Sequence, residues 1–235
     1  MTAERIAGYP TGQPGREPDR EPGGQTEKIP GRTRIKICGL SRTEDISYVN
    51  EAQPDFCGFV IEVPASRRNV TSAQLVRLRH RLSEQICPVG VFVNAEPELI
   101  AKLLNDGVID AAQLHGSEDE AYIARLRDMT DKPLVKAFSV KSLTDLEAAQ
   151  MSSADLVLLD HGKGGTGASF DWELLRHWKG RPYILAGGLD AGNIPEAVRK
   201  YHPYAVDLSS LVESSGKKDR RKILAAVAAV RSITI

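Results

Sequence analysis

The chain lacks any long apolar run. Its longest, Ile223–Val230, covers eight residues, far fewer than the roughly 20 that a membrane-crossing helix needs, so no membrane span is expected. A surplus of either charge is also missing, with Lys plus Arg and Asp plus Glu at 31 each in 235 residues. Without a basic excess, neither nucleic acid nor an anionic membrane surface is an expected partner, and any anionic ligand must be held by local groups. Cysteine is scarce: Cys38, Cys57 and Cys87 form an odd set with no CxxC pair. This argues against a disulfide framework and a structural zinc site, and fits a reducing cytosol.

The composition that remains, 41% hydrophobic and 26% charged, is that of a soluble globular chain. Residues 1–32 stand apart. Pro10, Pro14, Pro18, Pro22 and Pro30 alternate there with six glycines and balanced charge, leaving too little apolar surface to offset chain ordering. The segment reads as a disordered tail, with no apolar stretch like that of a secretory signal and too much acid for a mitochondrial presequence. Residues 33–235 read as the catalytic domain.

From Arg34 onward, eight β-rich runs alternate with helical segments. The runs are Arg34–Cys38, Phe56–Ile61, Val89–Val93, Ala111–Leu114, Leu134–Ala137, Leu156–Asp160, Tyr183–Ala186 and Ala205–Leu208. The clearest helices are expected at Thr43–Ala52, Ser72–Leu82, Pro97–Asn105, Glu118–Arg127, Leu143–Gln150, Ile194–Lys200 and Arg220–Val230. Ser41, Ser117 and Asn193 are the expected N-caps, and Asp171 caps a shorter segment, Trp172–His177. Continuously apolar strands such as Leu156–Leu159 suit a parallel sheet covered by helices. Eight such units in about 200 residues fit a closed (β/α)8 TIM barrel better than an open doubly wound sheet.

In such barrels the active site lies just beyond the strands' C-terminal ends. There the first run offers Cys38 with Gly39 behind it, whereas Cys57 and Cys87 start their strands and read as small buried hydrophobes. Ser66-Arg67-Arg68 follows the second run and presents two guanidinium groups able to grip a carboxylate. His115 follows the fourth run without an assigned role. Asp160 closes the sixth, ahead of His161-Gly162-Lys163-Gly164-Gly165-Thr166-Gly167. Those glycines satisfy G-x-G-x-x-G only formally, since no helix opens within them, and Gly rather than Ser or Thr follows Lys163, so the Walker pattern fails. The loop reads as a mobile lid. Gly187-Gly188 and Ser209-Ser210 follow the last two runs, where barrels commonly bind phosphate. Lys36, two residues before Cys38 and a layer deeper, is not expected to help the thiol directly and would need a partner of its own.

Lys36-Ile37-Cys38-Gly39-Leu40, Val89-Gly90-Val91-Phe92-Val93-Asn94, Gln113-Leu114-His115-Gly116 and Val135-Lys136-Ala137-Phe138 resemble, in order, the motifs of the phosphoribosylanthranilate isomerases. So do Leu159-Asp160, Gly164-Gly165-Thr166-Gly167, Phe170-Asp171-Trp172, Leu185-Ala186-Gly187-Gly188-Leu189 and Asp207-Leu208-Ser209-Ser210. The resemblance spans roughly residues 34 to 230. It implies an Amadori rearrangement in tryptophan biosynthesis, run in the cytoplasm without cofactor or metal on a small phosphorylated substrate, by a monomer or homodimer. It further implies Cys38 as general base, Asp160 as general acid, Arg68 as a contact for the anthranilate moiety, and Gly187, Gly188, Ser209 and Ser210 as the phosphate site. Two departures are visible: Leu211 replaces the family's usual glycine, and the loop from Gly58 to Ser66 is one residue longer than usual, which leaves Arg67 and Arg68 as alternatives. Other phosphate-binding barrels, the indole-glycerol-phosphate synthases and the histidine-pathway isomerases, are the enzymatic rivals, and a barrel that binds a phosphorylated ligand without turnover is the non-enzymatic one.

Overall fold

The computed structural model describes residues 32–160 and 171–233, so the readings of the Pro/Gly-rich tail and of the glycine-rich lid fall outside the described residues. The barrel strands are β1 (Arg34–Cys38), β2 (Phe56–Ile61), β3 (Cys87–Phe92), β4 (Ala111–Leu114), β5 (Leu134–Ser139), β6 (Leu156–Asp160), β7 (Tyr183–Leu185) and β8 (Ala205–Leu208). Each pairs in parallel with the next, and β1 pairs with both β2 and β8, which closes the ring. The expected (β/α)8 barrel is therefore present. A two-residue strand, Asn69–Val70, adds to the edge of β2.

Strand limits shift where hydrogen bonding, rather than apolarity, decides them. Cys87 joins β3 because it stands opposite Phe56 in register and its N–H donates to the Asp55 carbonyl at 3.0 Å. Strand β5 runs on to Ser139, which pairs with Asp160.

Around the ring lie α1 (Thr43–Ala52), α2 (Ser72–Arg79), α3 (Pro97–Asn105), α4 (Glu120–Arg127), α5 (Leu143–Met151), α6 (Ile194–Tyr201) and α7 (Arg220–Arg231), with Trp172–His177 a 3₁₀ turn. Asp171 caps that turn, accepting from the Glu173 N–H at 3.0 Å. Helix α2 ends three residues short of Leu82, because Arg81 and Leu82 donate to Leu78 and Arg79 in tighter three-residue turns.

Two expected caps are corrected and a third takes another role. At α1 Asp45, inside the first turn, accepts from both the Ser41 and Arg42 N–H groups at 3.0 Å, and Ser41 caps nothing. At α4 the cap is Asp119, which accepts from Tyr122 N–H at 2.9 Å, while Ser117 donates to Asn94 and Glu118 is buried beside Lys136. Asn193 occupies the cap position of α6 without a cap bond, and its amide instead donates to the Gly188 carbonyl at 2.7 Å.

Alternation along the strands sorts side chains into two layers. Large residues such as Ile35, Ile37, Phe59 and Ile61 pack outward against the helices. Inside the ring a smaller set, including Val89, Ala111, Leu156, Leu158, Ile184 and Ala205, fills the lower barrel. Above it the interior turns polar with Lys36, Gln113 and Asp160, all buried, and Asp207. The fold thus delivers titratable groups to one end of the ring.

Candidate active site

At that end a cavity of about 230 Å³ opens, and Cys38, Arg68, Asp160, Gly187, Gly188, Ser209 and Ser210 all line it. The residues singled out at the strand ends are therefore brought together in one place. Cys38 ends β1 and Asp160 ends β6; both are buried. Since β7 and β8 intervene on one side of the ring, the thiol and the carboxyl approach the cavity from different walls.

Gly58 makes room for the thiol. It stands opposite Cys38 in register, and a Cβ there would lie 2.6 Å from the Cys38 Sγ and 3.2 Å from Lys36 Cε. Beneath the sulfur, Lys36 Nζ donates to both Asp207 carboxylate oxygens at 3.1 Å. Register explains the pair, because Lys36 and Asp207 are direct neighbours on β1 and β8 and so face the same side. Lys36 and Cys38 stand two residues apart on the same face of β1, and both border the space opposite Gly58. Burial works against the lysine's charge, but Asp207 and the thiol outweigh it and hold Lys36 protonated, above the ordinary lysine value. Burial likewise pushes the Cys38 thiol up, and Lys36 is the strongest group opposing that rise. The partner that Lys36 was expected to need is Asp207.

The two arginines separate clearly. The Arg68 side chain is 13% exposed and lines the cavity, whereas Arg67 is 57% exposed and does not line it. Both meet Glu213, the start of a two-residue strand (Glu213–Ser214) paired with Lys217–Lys218.

Across the mouth, Gly187 and Gly188 adopt φ of 84° and 69°, a left-handed turn that side chains disfavour. Asn193 braces this turn through its bond to the Gly188 carbonyl. On the neighbouring strand Ser209 Oγ donates to the Cys38 carbonyl at 3.2 Å, linking the serine loop to the thiol's own backbone. Leu211 lines the cavity beside them.

Sequence reasoning missed part of the wall. His115 and Gln113 line the cavity, with His115 Nδ1 2.8 Å from Gln113 Nε2. Burial, and then Lys36, depress the His115 value, which favours the uncharged ring. The signal was present in the alternation of β4, which turns Gln113 inward.

The fold and its polar mouth define a TIM-barrel enzyme. A family model described as N-(5'phosphoribosyl)anthranilate (PRA) isomerase matches residues 35–229. An N-(5'-phosphoribosyl)anthranilate isomerase of Endomicrobium trichonymphae is 47% identical over 204 residues, covering 85% of this chain and 99% of its own length. One from Caldanaerobacter subterraneus is 40% identical over 205 residues, covering 85% of this chain and 98% of its own. Among solved structures, the phosphoribosyl anthranilate isomerase of Thermus thermophilus superposes with a TM-score of 0.76 at 30% identity, covering 85% of this chain and 99% of that one. A phosphoribosyl anthranilate isomerase in complex with reduced 1-(o-carboxyphenylamino)-1-deoxyribulose 5-phosphate gives 0.74 at 30% identity, with 86% and 100% covered. This chain belongs to the N-(5'-phosphoribosyl)anthranilate isomerase family.

Proposed function

We propose that the protein catalyses the Amadori rearrangement of N-(5-phosphoribosyl)anthranilate to 1-(2-carboxyphenylamino)-1-deoxyribulose 5-phosphate in tryptophan biosynthesis. Asp160 gives a proton to the ribose ring oxygen as the ring opens and the glycosylic C–N bond becomes a Schiff base. Cys38, as thiolate, takes the proton from C2′, and the resulting enolamine tautomerises to the ketone. Reactant and product are isomers, so the chemistry needs only proton transfer between positioned groups.

The observation that carries this reading is that the Cys38 thiol and the Asp160 carboxyl border one cavity, from strands separated by the two that bear the glycine and serine turns. Gly187, Gly188, Ser209 and Ser210 hold the phosphate between acid and base, and Arg68 grips the anthranilate carboxylate. Lys36, charged and buried on the same face of β1 as Cys38, stabilises the thiolate. No described helix is long and apolar enough to cross a membrane, which fits the cytoplasmic placement we propose. All the named site residues come from a single chain, so a monomer can carry the site and a homodimer would carry two; a similar protein from Thermotoga maritima is described as dimeric.

The test is to mix purified protein with freshly prepared N-(5-phosphoribosyl)anthranilate and follow the loss of its anthranilate-type fluorescence. Rapid, enzyme-dependent loss is expected, and a rate equal to the buffer blank would refute the proposal.

A further inference from the structure

We propose that Glu213 is the positioning residue that aims Arg68 at the carboxylate on the substrate's aromatic ring. The inference rests on the reading of Arg68 as the group that binds that carboxylate. Arg68 meets Glu213 along one edge of its guanidinium, Nε to Oε1 at 2.6 Å and Nη2 to Oε2 at 3.1 Å. The Nη1 edge has no hydrogen-bond partner among the described residues, and Arg68 lines the cavity. A guanidinium offers two edges for bidentate pairing. Glu213 occupies one and thereby fixes the direction of the other.

Glu213 can do this because it is itself held. Its side chain is 4% exposed, and its carboxylate also accepts from Lys218 Nζ at 2.8 Å and Arg67 Nη2 at 2.7 Å. Its backbone carbonyl accepts from Lys222 Nζ at 2.6 Å. Burial works against the carboxylate's charge, yet the Arg68 and Lys218 bonds outweigh it and keep Glu213 below its ordinary value. One anion facing both Arg68 and Lys218 leaves positive charge over on this side of the cavity, the sign an anionic substrate requires. Lys218 Nζ also donates to the Ser209 carbonyl at 2.8 Å.

The stem of Arg68 lies directly over Gly39, where a Cβ would come within 2.3 Å of Cδ. A long side chain pressed against backbone at one end and clamped at its head has lost most of its rotamer freedom before ligand arrives. Little ordering cost is then left for binding.

The experiment compares two ligands by calorimetry: reduced 1-(o-carboxyphenylamino)-1-deoxyribulose 5-phosphate, and its anilino counterpart lacking the ring carboxylate. In the wild-type protein the carboxylate should tighten binding by ~10-fold or more, the range for a charge-assisted pair. In Glu213→Gln that advantage should shrink to within ~3-fold, with the anilino ligand's Kd nearly unchanged. Glu213→Asp, which keeps the charge but withdraws it by one methylene, should fall between, and it carries the comparison if Glu213→Gln does not fold. Equal weakening of both ligands, no change, or tighter binding of the carboxylate ligand would each overturn the inference; the last would mean that Glu213 competes with substrate. Arg68→Ala separates the two levels. Loss of the carboxylate advantage there but not in the Glu213 variants sinks this inference alone, whereas retention in Arg68→Ala sinks the reading of Arg68 and this inference with it.

Discussion

Two of the buried lysines stand on barrel strands, and they do different work. Lys136 on β5 donates to Glu118 at 2.9 Å and also to the carbonyls of Gly116 at 2.7 Å and Leu114 at 3.4 Å. Glu118 in turn accepts from the N–H groups of Asn94 and Gly116. Every direction around that ammonium is taken by the loop it braces. Lys36 on β1 has a carboxylate partner too, Asp207, but it also shares a face of its strand with the Cys38 thiol at the cavity wall and opposes the rise that burial imposes on that thiol. Burial of an ion pair does not by itself mark function. What distinguishes the two is whether the cation faces only structure or also a group that must change charge.

Replacing each lysine by methionine tests that distinction most severely. Lys36→Met should reduce the turnover of the folded fraction by ~10²-fold or more, the scale of an electrostatic contribution to a general base, and, because it leaves Asp207 without its cation, should lower the melting temperature as well. Lys136→Met leaves Glu118 buried without its cation and should cost about 3–5 kcal/mol of stability, while the folded fraction turns over within ~3-fold of wild type. Thermal melts beside steady-state rates check both. Equal activity losses in the two variants would erase the comparison.

A direct view of the thiol sharpens it. Because the Cys38 value is raised above its ordinary 9.0, the thiolate fraction should still be increasing at that pH. Alkylation of Cys38 by iodoacetamide, followed by peptide mapping, should accelerate beyond pH 9.0 without an earlier plateau. Lys36→Met should move the curve further toward alkali, and Lys136→Met should leave it in place. A plateau already reached by pH 9.0 in the wild type, which would require a thiol below its ordinary value, would contradict the burial argument.

The smallest effect concerns Glu213, whose folded value lies below its ordinary 4.5. Below 4.5 the unfolded chain binds a proton that the folded chain resists. The contribution is therefore present above that pH and is lost as the pH falls through the folded value. Glu213→Gln should flatten this part of the acid limb in a melting-temperature titration, and parallel limbs would show that Glu213 is not depressed.

The same contrast explains what could be read from the chain alone. The barrel was legible because its strands are short apolar runs at regular intervals. Cys38, Asp160 and the Gly187-Gly188 and Ser209-Ser210 turns were legible because a barrel places its chemistry just past each strand. Strand ends and helix caps were less so, as Asp45 and Asp119 show, because neighbouring N–H groups decide them. The charge pairs were not legible at all. Lys36 and Asp207 are 171 residues apart, and Arg68 and Glu213 are 145 apart. Only ring closure and the return of the chain after β8 make them neighbours, so Lys36 looked like a cation without a partner.

The most direct test of the account is the turnover of Cys38→Ser and Asp160→Asn, measured side by side by fluorescence loss on freshly prepared N-(5-phosphoribosyl)anthranilate. Each variant should melt like the wild type and lose ~10² to 10⁴-fold in rate. A folded variant of either residue that works at a near wild-type rate would contradict the assignment of proton transfer to this thiol and this carboxyl.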